Sequence, residues 1–320
     1  MSREKILSLL LEQGDSYVSG EAMSRTLGIS RAAVWKAIEA LRQEGYEIQS
    51  ATKRGYRLER APDRVREGEL AGPLSGCHVG SRLICLDVID STNTEAKRQA
   101  MAGASDGLVI LSEEQTGGRG RLGRSFQSPR GTGLYFSALL RPSLPPQEVV
   151  DFTAWVAVAV CDGIQAACGV RPRIKWTNDI VLGGRKLCGI LTELGLEGES
   201  NALDYLITGI GVNVNQRTED FLPEVRPIAV SLAQELGRPV RRAELAVEII
   251  RALDRMYAGF PDNKAEYLAR YRADCLTPGN QVQLITPVSR EEAFALEIDD
   301  QFRLVVEYPD GRRAALSAGE

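Results

Sequence analysis

The 320-residue sequence is short of the side chains on which many enzymes depend. It has one histidine, His78. That excludes an imidazole-rich zinc cluster and most Ser-His-Asp or Cys-His schemes, because His78 lies in a Gly/Pro-rich stretch with no nucleophile motif beside it. Six cysteines, at 77, 85, 161, 168, 188 and 275, form no Cys-x-x-Cys pair, a scatter that suits reduced, buried thiols. No uninterrupted apolar run approaches the roughly 18 residues of a membrane span. The opening Met1-Ser2-Arg3-Glu4-Lys5 mixes both charge signs, unlike a secretory leader. We therefore expect a cytoplasmic protein with no membrane partner and no protein-built metal cage. Internal repeats and low-complexity tracts are missing too. Chemistry here must lean on Lys, Arg, Asp and a bound small molecule.

What is present is the balance of an ordinary globular protein, 43% hydrophobic and 26% charged residues, in a chain long enough for two or three domains. The net charge is −4, yet residues 1–60 hold ten Lys/Arg against eight Asp/Glu, a slight bias towards an anionic partner. That segment reads as three helices and a hairpin. Ile6, Leu9, Leu10 and Gln13 keep a helical period up to Gly14; Ser19 caps a helix that stops at Gly28; Ser30 caps a third over Arg31 to Glu44. Tyr46 to Ser50 and Gly55 to Leu58 read as strands joined by the basic turn Thr52-Lys53-Arg54-Gly55. Two helices around a short turn, followed by a basic wing, are the pattern of a winged helix-turn-helix at 1–62. Ser30, Arg31, Trp35 and Lys36 are its candidate groove contacts, and Lys53 and Arg54 its candidate phosphate contacts. A plain three-helix interaction domain is the alternative.

A linker follows at 63–80, then an α/β segment at 81–273, where hairpins beside helices predict a mixed, mainly antiparallel sheet. Short alternating strands at 274–320 predict a small β-barrel. The fold class expected is α+β.

Three stretches carry chemistry. Gly118, Gly120 and Gly123 satisfy Gly-x-Gly-x-x-Gly, but a strand follows, not a helix, so the dinucleotide fingerprint fails on context. What remains is a glycine loop bearing Arg119, Arg121 and Arg124, suited to closing over a phosphate or carboxylate; a flexible surface turn or a single-strand nucleic-acid segment is the plainer reading. Lys175-Trp176-Thr177-Asn178-Asp179 leads through a Gly-Gly hairpin to Lys186, and taken alone is equally a structural hairpin. Asp90-Ser91-Thr92-Asn93 opens a helix, and alone is an ordinary cap.

Taken in order, these stretches, with Gly-Arg-Lys-x-x-Gly-Ile-Leu-x-Glu at 184–193 and Gly-Ile-Gly-x-Asn at 209–213, resemble the biotin–protein ligases. With the N-terminal reader, the whole chain resembles the bifunctional ligase/biotin-operon repressors. The resemblance implies a class II synthetase-like catalytic domain and an SH3-like C-terminal barrel. It implies that ATP, with Mg²⁺ on its phosphates, and biotin give biotinyl-5′-AMP, which is both acyl donor and corepressor. Biotin then passes to a lysine of a carboxylase's biotin carboxyl carrier domain, while operator DNA and a ligand-promoted homodimer complete the partners. It implies biotin contacts from Ser91, Thr92, Asn93, Gln115, Gly118, Arg119, Gly120, Arg121, Lys186 and Gly189. Arg121, Arg124, Phe126, Trp176, Asn178 and Asn213 would line the nucleotide site. Lys186, Arg119, Arg121 and Asp179 would be catalytic, Asp179 by orienting or deprotonating the incoming lysine. Thr177 stands where the family usually has proline, and Phe126 where it usually has tryptophan. A biotin sensor without ligase activity and a ligase whose reader represses nothing are the alternatives; a lipoate ligase lacks support, since its Arg-Arg-x-x-Gly-Gly-Gly-x-Val-x-His pattern is absent.

Overall fold

The computed structural model describes residues 2–198, 200–285 and 290–319; Met1 and Glu320, the ends of the segmentation above, lie outside them. The first unit packs α1 (Ser2–Glu12), α2 (Gly20–Leu27) and α3 (Arg31–Gln43) against the hairpin β1 (Glu47–Ala51) and β2 (Gly55–Arg60). Its helices start and stop where local chemistry dictates. Ser19 Oγ accepts the Ala22 N–H and Ser30 Oγ the Ala33 N–H, while Gly28 turns α2 off at φ 63°. Ile6, Leu10, Met23, Val34, Ile38 and Leu41 close a small core.

The stretch read as a linker is not a free tether. It carries a one-turn helix, α4 (Glu67–Leu70), and Val65, Leu70, Leu74 and Val79 are buried in the main core. Its carboxylates fasten the two units together. Glu69 accepts from Tyr46 Oη at 2.7 Å and from Arg241 at 3.1 Å. Asp63 takes Arg242 Nε at 2.9 Å, and Glu113 takes the same guanidinium at 2.9 Å. Arg242 is 1% exposed, so these two acids are what makes its burial tolerable. Burial pushes the Glu69 carboxyl up to about 7.

The main unit runs β3 (Arg82–Leu86), α5 (Thr92–Met101), β4 (Leu108–Ser112), β5 (Gly133–Leu140), α6 (Phe152–Cys168), β6 (Arg173–Lys175), β7 (Asp179–Leu182), β8 (Arg185–Leu196), β9 (Leu203–Asn213), α7 (Leu232–Leu236), α8 (Arg242–Gly259) and α9 (Lys264–Asp274). Its seven strands lie in the order β3-β4-β5-β9-β8-β7-β6. Only the β3–β4 pair, bridged by α5, is parallel, which bears out the mixed, mainly antiparallel sheet. The stretch Pro146–Cys168 has the length and apolarity of a membrane span, but 67% of that window is buried inside the protein, as befits a helix with core on most sides. Gly163 lets it approach α8: a Cβ there would sit 2.5 Å from Ile249 Cα.

The last unit, β10 (Gln281–Ile285), β11 (Arg290–Ile298), β12 (Leu304–Glu307) and β13 (Arg313–Leu316), is an antiparallel sheet in simple up-and-down order. The expected barrel is thus seen as a four-stranded sheet, with no ladder from β10 to β13 among the described residues. Phe302 docks it on Tyr271 and Trp155.

Candidate active site

A cavity of about 770 Å³ opens where the N-terminus of α5, the glycine loop, β7, β8, β9 and β10 converge, within the size range of small-molecule sites. It has two ends of different character.

One end is neutral and buried. Ser91, Thr92 and Asn93 are 3–4% exposed. Ser91 spends its hydroxyl on capping α5. Gln115 Oε1 accepts the Thr92 N–H at 2.8 Å and its hydroxyl at 3.1 Å, while Gln115 Nε2 donates to Ser128 Oγ at 2.9 Å. Ser137 Oγ lies 2.8 Å from Thr92 Oγ1 and 2.6 Å from Asn93 Oδ1. Asn93 Nδ2 donates to Glu193 Oε2 at 2.8 Å and to the Leu191 carbonyl at 3.2 Å. Every group here is held in a chain of hydrogen bonds, so donors and acceptors stand in place before a ligand arrives. Two glycines keep the floor open: a Cβ on Gly209 would lie 2.0 Å from Asn93 Oδ1, and one on Gly211 2.6 Å from the Phe126 ring.

The other end is cationic. Arg119, Arg121, Arg124, Lys175 and Lys186 line the cavity, against a single carboxylate among the described lining residues, Asp179. Lys186 Nζ is 2.7 Å from Asp179 Oδ1 across the β7–β8 hairpin. Arg121 reaches from the loop to Asn178 Oδ1 at 2.8 Å and Thr177 Oγ1 at 2.9 Å. Arg119 pairs with Glu193 at 3.2 Å. The loop itself is pinned by Gly120 N–H to the Arg124 carbonyl at 2.7 Å, and exposes Leu122 at φ 54°. A second cavity, of about 660 Å³, lies beyond, and Arg121, Asn178, Ile190 and Leu191 form the wall between the two.

Residues 85–213 match the biotin/lipoate A/B protein ligase family, and residues 2–57 match an HTH domain. The bifunctional ligase/repressor BirA of Bacillus spizizenii is 37% identical over 317 residues, covering 99% of this chain and 97% of the relative. The chain belongs to the bifunctional biotin ligase/repressors. BirA of Escherichia coli is 31% identical over 305 residues, 94% of this chain and 91% of that one. A biotin protein ligase from Aquifex aeolicus, solved in complex with biotin and ATP, superposes with a TM-score of 0.63 at 27% identity, over 75% of this chain and 97% of that one.

Most of the expected ligase residues meet in one place. Ser91, Thr92, Asn93, Gln115, Arg119, Gly120, Arg121, Arg124, Phe126, Trp176, Asn178, Asp179, Lys186 and Gly189 all line the one cavity. Two do not. Gly118 is buried behind it, where a Cβ would meet the Phe126 carbonyl at 2.3 Å; its part is to let the loop pack. Asn213 sits at the end of β9, 6% exposed, with Nδ2 directed to the Lys186 carbonyl at 3.4 Å. Trp176 lines the cavity but is tied to the C-terminal sheet, its indole N–H donating to the Phe302 carbonyl at 3.0 Å. Sequence reasoning missed Ser128 and Ser137. It also passed over Gly209, although the Gly-Ile-Gly run held the signal. In the reader, Trp35 is 58% exposed and Lys36, Lys53 and Arg54 are exposed. Arg31 is exposed but paired with Glu21 at 2.7 Å, Ser30 is occupied as a cap, and Arg54 lies 4.3 Å over the Tyr17 ring.

Proposed function

We propose that this ligase/repressor joins biotin to AMP in the cavity described, transfers biotin to a carrier lysine, and uses the adenylate to switch its DNA-reading domain. One observation carries the reading: a preorganised neutral pocket opens directly onto five cations. The neutral end suits the uncharged polar head of biotin, and the cations suit the meeting of two anions. In the first step a biotin carboxylate oxygen attacks the α-phosphorus of ATP and the bond to pyrophosphate breaks. Lys186, Arg119 and Arg121 offset the repulsion and the charge that develops. For this Lys186 must exchange its partner, leaving Asp179 for the substrate anions. In the second step the carrier amine attacks the acyl carbon, AMP departs, and the amine's proton needs an acceptor. Asp179, freed by that exchange, is the group within reach.

Mg²⁺ would neutralise the β- and γ-phosphates, held by those phosphates and at most one carboxylate, as such ions commonly are. Asp179, the sole acid among the described cavity-lining residues, fits that donor set. All six cysteines are free, which supports a cytoplasmic setting.

For the reader, we infer groove contacts from Arg31, Trp35 and Lys36 and phosphate contacts from Lys53 and Arg54. Ser30 serves them by fixing the start of α3. Arg31 must trade Glu21 for DNA. A 60-residue reader makes few contacts alone, which favours a dimer on paired half-sites. Leu194 and Leu196 on β8, with Leu122 of the loop, are exposed apolar groups that support a ligand-promoted homodimer. The test combines ATP, Mg²⁺, biotin and an apo-carrier fragment, scoring biotin-dependent pyrophosphate release and carrier labelling. Sedimentation and titration with DNA from upstream of biotin synthesis genes, with and without biotinyl-AMP, score the switch. Pyrophosphate release without biotin, or mass and DNA affinity indifferent to the adenylate, would overturn the respective half.

A further inference from the structure

Glu193 has no part in the chemistry above, yet it bonds to one lining residue at each end of the cavity. Its Oε2 accepts from Asn93 Nδ2 at 2.8 Å, in the neutral pocket. Its Oε1 pairs with Arg119 at 3.2 Å, in the cationic end. The guanidinium is about half exposed and the carboxylate one-third exposed, so the pair is of the weak, exchangeable kind. Arg119 is therefore not waiting uncommitted for a ligand; it already has a counter-ion.

We propose that Glu193 is a positioning and specificity residue: it holds Arg119 until an anionic substrate takes its place, and reclaims it when the bound ligand has become neutral. This rests on the reading that Arg119 serves the biotin carboxylate. A carboxylate or an acyl phosphate competes with Glu193 for the guanidinium. An amide cannot, because it carries no charge. The product of transfer to a lysine is such an amide, so the same pair that admits the substrate gives no hold to the product. The second contact, with Asn93, keeps Glu193 in register with the head pocket, so the exchange takes place at a fixed distance from the bound bicyclic head.

The test is calorimetric, on the full-length protein, with biotin, biotinol (an alcohol in place of the carboxylate) and biotinamide (a neutral amide). Wild-type protein that binds biotinol as tightly as biotin would refute the carboxylate reading itself, whatever Glu193 does. Glu193→Gln keeps an oxygen to accept from Asn93 and removes only the charge. The expected result is biotin affinity raised about two- to fivefold, the size of a partly exposed ion pair, with biotinol and biotinamide unchanged. A merely structural role would move all three ligands together. In an Arg119→Ala background the gain should vanish. Weaker biotin binding in Glu193→Gln, an equal shift for all three ligands, or a gain that survives without Arg119 would each overturn the proposal.

Discussion

The two ends of the cavity are held in place by opposite means. At the head pocket, neutral groups that are buried or, in Gln115, half-buried are locked by a run of hydrogen bonds from Glu193 through Asn93, Ser137, Thr92 and Gln115 to Ser128. At the cationic end, Arg119 and Lys186 are 51% and 38% exposed, each resting on one carboxylate. The first arrangement gives selectivity, since a ligand that mismatches leaves buried groups unpaired. On the proposed reading the second permits chemistry, since half-exposed cations with a replaceable counter-ion can follow charge as it moves from carboxylate to phosphate. A site built wholly in the first way would bind without reacting. One built wholly in the second would react with many anions.

The comparison breaks hardest at Lys186. Lys186→Ala should lower the rate of adenylate formation by two to three orders of magnitude, about 3–4 kcal/mol of transition-state stabilisation, while biotin affinity by calorimetry changes far less. Near-normal single-turnover adenylation would remove Lys186 from the chemistry. Gly209→Ala tests the other end. Its methyl would overlap Asn93 Oδ1, so biotin should bind about 30- to 100-fold more weakly, at a cost of about 2–3 kcal/mol, with ATP affinity held. Equal losses for both ligands would mean that the two ends are not separable. Arg121→Gly sharpens the contrast further. It removes the anchor to Thr177 and Asn178 and thins the wall between the two cavities, so biotinyl-AMP should still form but dissociate about tenfold faster, read by stopped-flow or filter release. An unchanged rate would show that the anchor does not retain the adenylate.

The smallest expected effect lies outside the cavity, at a charged group denied the exposure that the cleft cations keep. Glu69 in the folded protein holds its proton up to about pH 7, whereas an unfolded glutamate loses it near about 4.3. The folded state therefore binds the extra proton, its stabilising effect is complete below about pH 4.3, and stability declines as pH rises to about 7 before levelling. Glu69→Gln should flatten that slope, a difference of a few degrees in Tm between acid and neutral buffer, measured by calorimetric scans. Parallel pH profiles for both proteins would refute the assignment.

How much of this was legible in the residues divides along the same physical line. The reader's helices are set by contacts three residues apart, Ser19 to Ala22 and Ser30 to Ala33, and by a glycine at the end of α2, so their limits could be read within a residue or so. Lys186 and Asp179 announce themselves because a tight hairpin brings them together. Ser137 and Ser128 do not: they meet Thr92 and Gln115 only through strand pairing and loop closure across tens of residues, and a serine inside an apolar strand carries no local mark of its partner. For the same reason the packing of residues 63–80 was read as a linker. Its Gly and Pro content is that of a tether, while its anchor, Arg242, lies about 180 residues away.

That anchor bears on how the molecule can be divided. A reader joined by a passive tether could be trimmed anywhere between the two units. Here the position of the cut decides what kind of protein remains. Truncation after residue 60 would strip Tyr46 from Glu69 but leave Asp63 and Glu113 on Arg242. Truncation at residue 80 would leave a guanidinium deep in the ligase with Glu113 as its one remaining acid of the two, together with the bared apolar surface that Val65, Leu70 and Leu74 had covered. The seam between reader and ligase runs through the interior of the catalytic unit, so a smaller ligase carved from this chain must start before Asp63.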